Sequence, residues 1–175
     1  MKLLLILTFF SIYLCTFSQD LLLINEKSYP ANGSFTFTIN SDEFYNQLDV
    51  LVAKDGEKGI LAFSIHSDYE YITGKVLLYL EDASVVTLID RNIYDNVDGT
   101  STTLYYITAN EIEKLKKTKI LKIRFARGPA KGHPAECTNQ TADNKYKMVH
   151  MDTKTYEDKE VEYETNSTLY FIDFF

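Results

Sequence analysis

The chain has 175 residues, with 18 Lys+Arg against 25 Asp+Glu for a formal net charge of −7, an apolar fraction of 45%, 14% aromatic residues and no Trp. This is about one domain's worth of chain, with enough apolar surface to offset the ordering entropy of a core, so disordered, collagen-like and low-complexity classes are excluded. The acidic balance argues against nucleic acid as a partner, because that binding runs on a surplus of Lys and Arg neutralising phosphates.

Met1-Lys2 precedes an uncharged stretch from Leu3 to Phe17 (LLLILTFFSIYLCTF), the basic start and apolar block of a secretory signal. As a helix it would reach roughly 22 Å, short of a hydrocarbon core of roughly 30 Å. Thr16 and Ser18 stand at the −3 and −1 positions of a cleavage site, which predicts a signal peptide over 1–18 and a mature domain over 19–175 with no transmembrane segment. The protein is thereby expected to be exported, to the periplasm or beyond. Cleavage removes Lys2 and Cys15, leaving a charge of −8 and the single Cys137. No internal disulfide is then available, and Cys137 is expected to be a sheltered thiol rather than a site for an intermolecular bridge.

Along the mature chain the apolar period is mostly two. Phe35, Phe37 and Ile39 alternate with Ser and Thr after the turn residues Pro30-Ala31-Asn32-Gly33. Leu48–Ala53 and Ile60–Ile65 flank a turn with two glycines, Gly56 and Gly59, and so predict a hairpin. Lys75–Leu80 (KVLLYL) and Ser84–Asp90 (SVVTLID) predict a second hairpin, its near-continuous apolar content suggesting strands covered on both faces. Asp95–Ser101 reads as a turn-rich loop and Thr102–Ile107 as a strand. Thr108-Ala109-Asn110-Glu111 has the Thr-x-x-Glu capping box, opening a short helix over about 109–118. Leu121, Ile123 and Phe125 then alternate with Lys122 and Arg124 up to Gly128-Pro129. Residues 128–144, with two Gly and two Pro, read as a surface loop insertion; Tyr146–Met151 is a weak strand signal, and Leu169–Phe175 (LYFIDFF) predicts a final strand tucked against the core. About eight short strands and one helix predict a mainly β fold, an antiparallel β-sandwich or partly closed barrel.

The block from Gly74 to Phe125, in the order strand, acidic turn, strand, Tyr-rich strand, capped helix, Ile-rich strand, resembles small exported β-rich proteins of Bacteroidota without assigned activity. The resemblance spans about a third of the chain. It implies an exported β-rich domain and transfers no catalytic residue.

No motif demands a cofactor. His133, Cys137 and His150 supply zinc-type ligands, but only His133 and Cys137 are closely spaced, whereas a structural zinc site needs paired short spacings and four ligands. Asp90, Asp95 and Asp98 lie close enough for calcium, yet an EF-hand register would put tyrosines, Tyr94 and Tyr105, in its first and last ligand slots. Asx turns account for these residues better. A small exported hydrolase would need His66, His133 or His150 to converge with carboxylates, and no nucleophile motif marks one. An eight-stranded outer-membrane barrel would fit the length, but the strand runs are short and not apolar-out and polar-in.

Charge distribution is more informative. Gln19–Glu113 carries −11, Lys114–Lys131 carries +8 with no acid, and the remainder carries −5. Lys114, Lys117, Lys122, Arg124 and Arg127 are therefore the candidate binding residues, a basic helix–strand face for an anionic ligand, polysaccharide or acidic protein. The competing explanation is neutralisation within the fold by the acidic 157–164 stretch, with helix-terminal lysines complementing the dipole. Ten tyrosines (Tyr69, Tyr71, Tyr79, Tyr94, Tyr105, Tyr106, Tyr146, Tyr156, Tyr163, Tyr170) offer a second, aromatic surface. Together these features predict an exported, non-enzymatic binding or envelope accessory domain.

Overall fold

A computed structural model describes residues 20–40, 47–129, 137–151, 154, 158–172 and 174–175. The proposed signal peptide, Lys131, His133 and Tyr156 therefore lie outside the described residues. Among the described residues are twelve strands, β1 (Asp20–Ile24), β2 (Lys27–Ile39), β3 (Gln47–Asp55), β4 (Lys58–His66), β5 (Glu70–Leu80), β6 (Val85–Leu88), β7 (Tyr94–Val97), β8 (Thr100–Ile107), β9 (Ile120–Pro129), β10 (Thr138–Asp143), β11 (Tyr146–Met151) and β12 (Asp158–Tyr163). Two short helices accompany them, α1 (Ala109–Leu115) and α2 (Leu169–Ile172). The fold is mainly β and antiparallel, as the alternation predicts.

Ten strands form one curled sheet in the order β6-β5-β9-β10-β2-β3-β4-β8-β7, with β1 added along β2; β11 and β12 pair separately. The curl brings β5 toward β8, and side chains rather than a backbone ladder close that seam. Thr103 Oγ1 donates to Ile72 O at 2.9 Å and Tyr105 OH to Gly74 O at 3.1 Å. The result is a partly closed barrel. Its interior holds Phe37, Phe63, Leu78, Tyr105, Ile123 and Phe125, all essentially inaccessible to water. Phe63 and Tyr105 meet edge to face, 5.5 Å between centroids. Both helices sit on one end. The capping box of α1 is formed on Thr108 and Glu111, and Ile112 and Leu115 reach the core; α2 adds Phe171, with Tyr170, Phe174 and Phe175 packed alongside.

A second apolar cluster lies outside the barrel. The β2 register shifts between Ala31 and Ser34, where Gly33 takes φ +74°, and the strand bends. The β1–β2 hairpin thereby folds over the outer face of β3, β4 and β8, enclosing Leu22, Ile24, Tyr29, Ala53, Ile60, Ala62 and Leu104. Its turn is tied to β7 by Asn25 N donating to Asp95 Oδ2 at 2.9 Å. In this region the molecule has the two layers of a sandwich.

Six expectations are corrected. First, the strands covered on both faces are not β5 and β6: β6 ends the sheet and alternates exposed and buried, whereas β4 is the doubly covered strand. Second, the segment expected as a final strand over 169–175 begins as helix α2, Leu169–Ile172. Asn166 Oδ1 accepts from Thr168 N and Oγ1, and helical spacing puts Phe171, Phe174 and Phe175 on the core side. Third, the loop at 128–144 ends in β10, wedged between β9 and β2. Fourth, Asp95–Ser101 is largely strand, with Asp98 and Gly99 at positive φ in the β7–β8 turn. Fifth, Leu121 does not face inward with Ile123: Tyr79 pairs with Lys122 and Leu80 with Ile120, so Leu121 is bulged outward. Sixth, Cys137, expected to be sheltered, is exposed.

Candidate functional site

The basic segment is divided by the fold into three settings. Lys114 on α1 and the lysines that follow its C-terminus lie at the helix-capped end of the barrel, among acids. Lys116 Nζ bonds Glu113 Oε1 at 2.8 Å and holds that carboxyl below its usual range. Lys119 lies between Glu164 (3.2 Å) and Glu81 (3.5 Å), and the hydrogen bond to Glu164, then the nearby charges, raise its affinity for protons. Lys117 joins Lys119 in lining a cleft of about 350 Å³ that also contains Glu81 and Glu164. Lys114 and Lys117 make no ion pair among the described residues. The acidic 157–164 stretch thus does reach this segment, through Glu164, while Glu162 pairs with Lys145 at 2.8 Å.

The second setting is the inside of the barrel. Arg127 has the same strand parity as Ile123 and Phe125, so it is 7% exposed and bonded to Glu70 Oε2 at 2.8 Å. It lies off any open basic face.

The third is the outer wall. Lys122 and Arg124 project from β9, and the registers of five ladders place them in two side-chain rows. One row runs Val85, Tyr79, Lys122, Asp143, Thr38, Gln47 across β6, β5, β9, β10, β2 and β3. The next runs Thr87, Leu77, Arg124, Thr141. At roughly 4.8 Å between strands the longer row extends about 24 Å along the sheet. Within it Lys122 Nζ bonds Asp143 Oδ1 at 3.1 Å, and Asp143 Oδ2 accepts from Asn40 Nδ2 at 2.6 Å. Arg124 is exposed and has no ion-pair partner among the described residues. The rows therefore offer one uncompensated guanidinium, one carboxylate-tethered ammonium, a half-buried tyrosine ring and a set of hydroxyls and amides.

Of the five sequence candidates, the structure brings Lys122 and Arg124 together and separates Lys114, Lys117 and Arg127 from them. Sequence reasoning missed Thr141 and Asp143, because β10 carries one apolar inward residue, Ala142, and gives no apolar alternation to read.

The other constellations disperse. His66 ends β4 and His150 stands on β11. Among the described residues no group of three or more His, Cys, Asp or Glu side chains is placed to hold a metal ion. Asp90 is taken up by local bonds, accepting from Gly74 N at 2.9 Å and Asn92 N at 2.6 Å, and Asp95 accepts from Asn25 N and Asn96 N. Of the tyrosines, Tyr105 is core, Tyr170 packs on Phe35, and Tyr71 and Tyr94 lie 4.4 Å apart. Among the described residues Tyr79 is the tyrosine that lies in the rows of Lys122 and Arg124.

No helix among the described residues is long and apolar enough to cross a membrane. The apolar barrel interior and charged outer rows are the reverse of the polarity of a membrane-spanning barrel. No protein-family model, no curated protein and no solved structure matches the chain.

Proposed function

We propose that the protein is an exported binding module that works without catalysis, and that its ligand is an acidic polysaccharide lying across the outer rows of β6, β5, β9, β10 and β2. Export rests on the signal-like residues 1–18. The observation that carries the ligand is the row geometry: Arg124 and Lys122 side by side on an uncovered wall, flanked by the Tyr79 ring and by Thr141, Asp143 and Thr38. A guanidinium fork matches a carboxylate or sulfate in bidentate fashion, and a tyrosine offers a flat apolar face with a polar tip. Hydroxyls and amides in register supply hydrogen bonds along an extended chain. An acidic protein partner would face the same cations but would need a larger apolar centre than Leu77 and Val85 provide.

The test is retention on immobilised alginate in a salt gradient. The protein should bind at low salt and elute as salt rises, because exposed charge pairs are screened. Replacing Lys122 and Arg124 together by Glu should weaken binding by at least about tenfold, whereas Lys117→Glu, in the cleft with Glu81 and Glu164 and off both rows, should change it by less than about twofold. Retention indifferent to salt and to the Lys122/Arg124 pair, or lost with Lys117→Glu instead, overturns the assignment.

A further inference from the structure

A cleft of about 560 Å³ opens beside the helix-capped end, between the start of β4, the end of β8, the entry to α1 and the segment joining β6 to β7. Its size falls within the range of small-molecule sites, roughly 300–1,000 Å³. Ile89, Ile93 and Tyr106 form apolar walls, and Ile89 is 49% exposed although it faces an apolar recess. The Tyr106 hydroxyl is engaged by Asp55 Oδ2 at 3.2 Å, so the ring contributes its carbon face.

Two cations stand on the rim. Lys58 Nζ lies 5.8 Å from the Tyr106 ring centroid, a cation–π contact that holds the ammonium beside the recess. Arg91 lines the opening from the other side. Neither makes an ion pair among the described residues. The rim's one acid, Glu111, is committed elsewhere: its Oε2 accepts from Thr108 N at 2.7 Å and Thr108 Oγ1 at 2.8 Å in the capping box. The recess is thus apolar inside and cationic at its mouth.

We propose that this cleft binds a medium-chain fatty acid, the alkyl chain against Ile89, Ile93 and Tyr106 and the carboxylate on Arg91 and Lys58. Burying methylenes supplies most of the affinity, and two uncompensated cations select the anionic head over a neutral or cationic one. The cleft meets the shorter outer row at Thr87 but includes neither Lys122 nor Arg124, and the polysaccharide assignment is tested by a different ligand and different variants.

Calorimetric titration with decanoate and, in parallel, decyltrimethylammonium distinguishes the elements. Decanoate should bind saturably, and at least about tenfold more tightly than the cation of equal chain length. Exchanging Lys58 and Arg91 together for Glu should invert that preference. Ile89→Asp should abolish decanoate binding, whereas Arg124→Glu, two strands away along the Thr87 row, should change it by less than about twofold. Lys58, Ile89 and Arg91 are all well exposed, so urea midpoints of the variants should match the parent and exclude misfolding as the cause. Absence of saturable decanoate binding, equal affinity for both amphiphiles, or binding that survives Ile89→Asp would overturn the proposal.

Discussion

The β3–β4–β8 half of the sheet and the β6–β5–β9–β10 half share one inner core but differ outside. In the first half the outward residues are Ala53, Ile60, Ala62 and Leu104, sealed beneath the β1–β2 hairpin. In the second they are Tyr79, Leu77, Lys122, Arg124, Thr141 and Asp143, facing solvent. The number of hydrogen-bonded neighbours does not separate them, since β4 and β9 are both interior strands. What separates them is whether another segment of chain lies across the wall. Small residues at Ala53 and Ala62 let the hairpin come close, while long amphipathic residues on β9 need no cover.

That comparison can be broken most directly at Ile60, which is fully buried on the outer side of β4. Ile60→Ala should cost about 2–4 kcal/mol, the lost transfer energy plus a cavity. Leu77→Ala, outward on the open half, should cost about 1 kcal/mol or less. Urea unfolding midpoints of the two variants measure the difference; equal losses would mean that the hairpin adds no second core.

Asn144 ranks next. It is buried, its Nδ2 donates to Ile120 O at 2.7 Å and to Thr165 O at 2.8 Å, and its Oδ1 accepts from Thr165 N at 3.0 Å. The side chain clamps the segment leading to α2 onto the start of β9, on the margin of the open half. Asn144→Ala strands three backbone groups and should cost about 2–3 kcal/mol in the same assay.

The two halves were unequally legible in the sequence. The β3–β4 hairpin is readable because a two-glycine turn separates two apolar runs, and α1 because Thr108 and Glu111 form a local capping box. Gly59 has a further reason to be glycine: a Cβ there would lie 2.5 Å from Ile107 Cγ1. By contrast β10 is a strand because β9 and β2 leave a slot for it, and nothing in Thr138–Asp143 announces that. The outer hairpin is equally hidden, since the apolar runs of β4 and β5 look alike and only the β2 bend decides which is covered. At the candidate site Lys122 and Arg124 follow from their alternation with Ile123 and Phe125. The same parity places Arg127 inside, a signal available in the sequence that counting charges overrides.

A smaller effect should separate the halves by pH. Tyr106 belongs to the covered wall; burial first, then its bond to Asp55 and the proximity of Tyr29, push its pKa up to about 12 from 10.0. A folded-state pKa above the unfolded one means that the unfolded chain loses this proton first. The associated stability is complete below about pH 10 and declines as pH rises toward about 12. Tyr105, raised by burial and then by Asp90, adds in the same direction from the inner face. Urea midpoints measured from pH 9 to pH 11 should fall, and Tyr106→Phe should flatten part of that fall while leaving the portion due to Tyr105. An unchanged slope would remove Tyr106 from the account.

The smallest expected change in stability is on the open wall, and its smallness is what gives it meaning. Lys122 bonds Asp143 at 3.1 Å with its side chain 46% exposed, so solvent screens the pair. Exposed pairs of this kind contribute about 0–1 kcal/mol. Arg124 has no ion pair among the described residues to lose. Replacing both by Ala should therefore shift unfolding by less than about 0.5 kcal/mol, whereas the charge reversal at these positions should weaken alginate retention by at least about tenfold. Both readouts on the same proteins decide whether the two cations serve the fold or a ligand. A stability loss comparable to that of Ile60→Ala would make them structural, and the open wall would then be a second covered one.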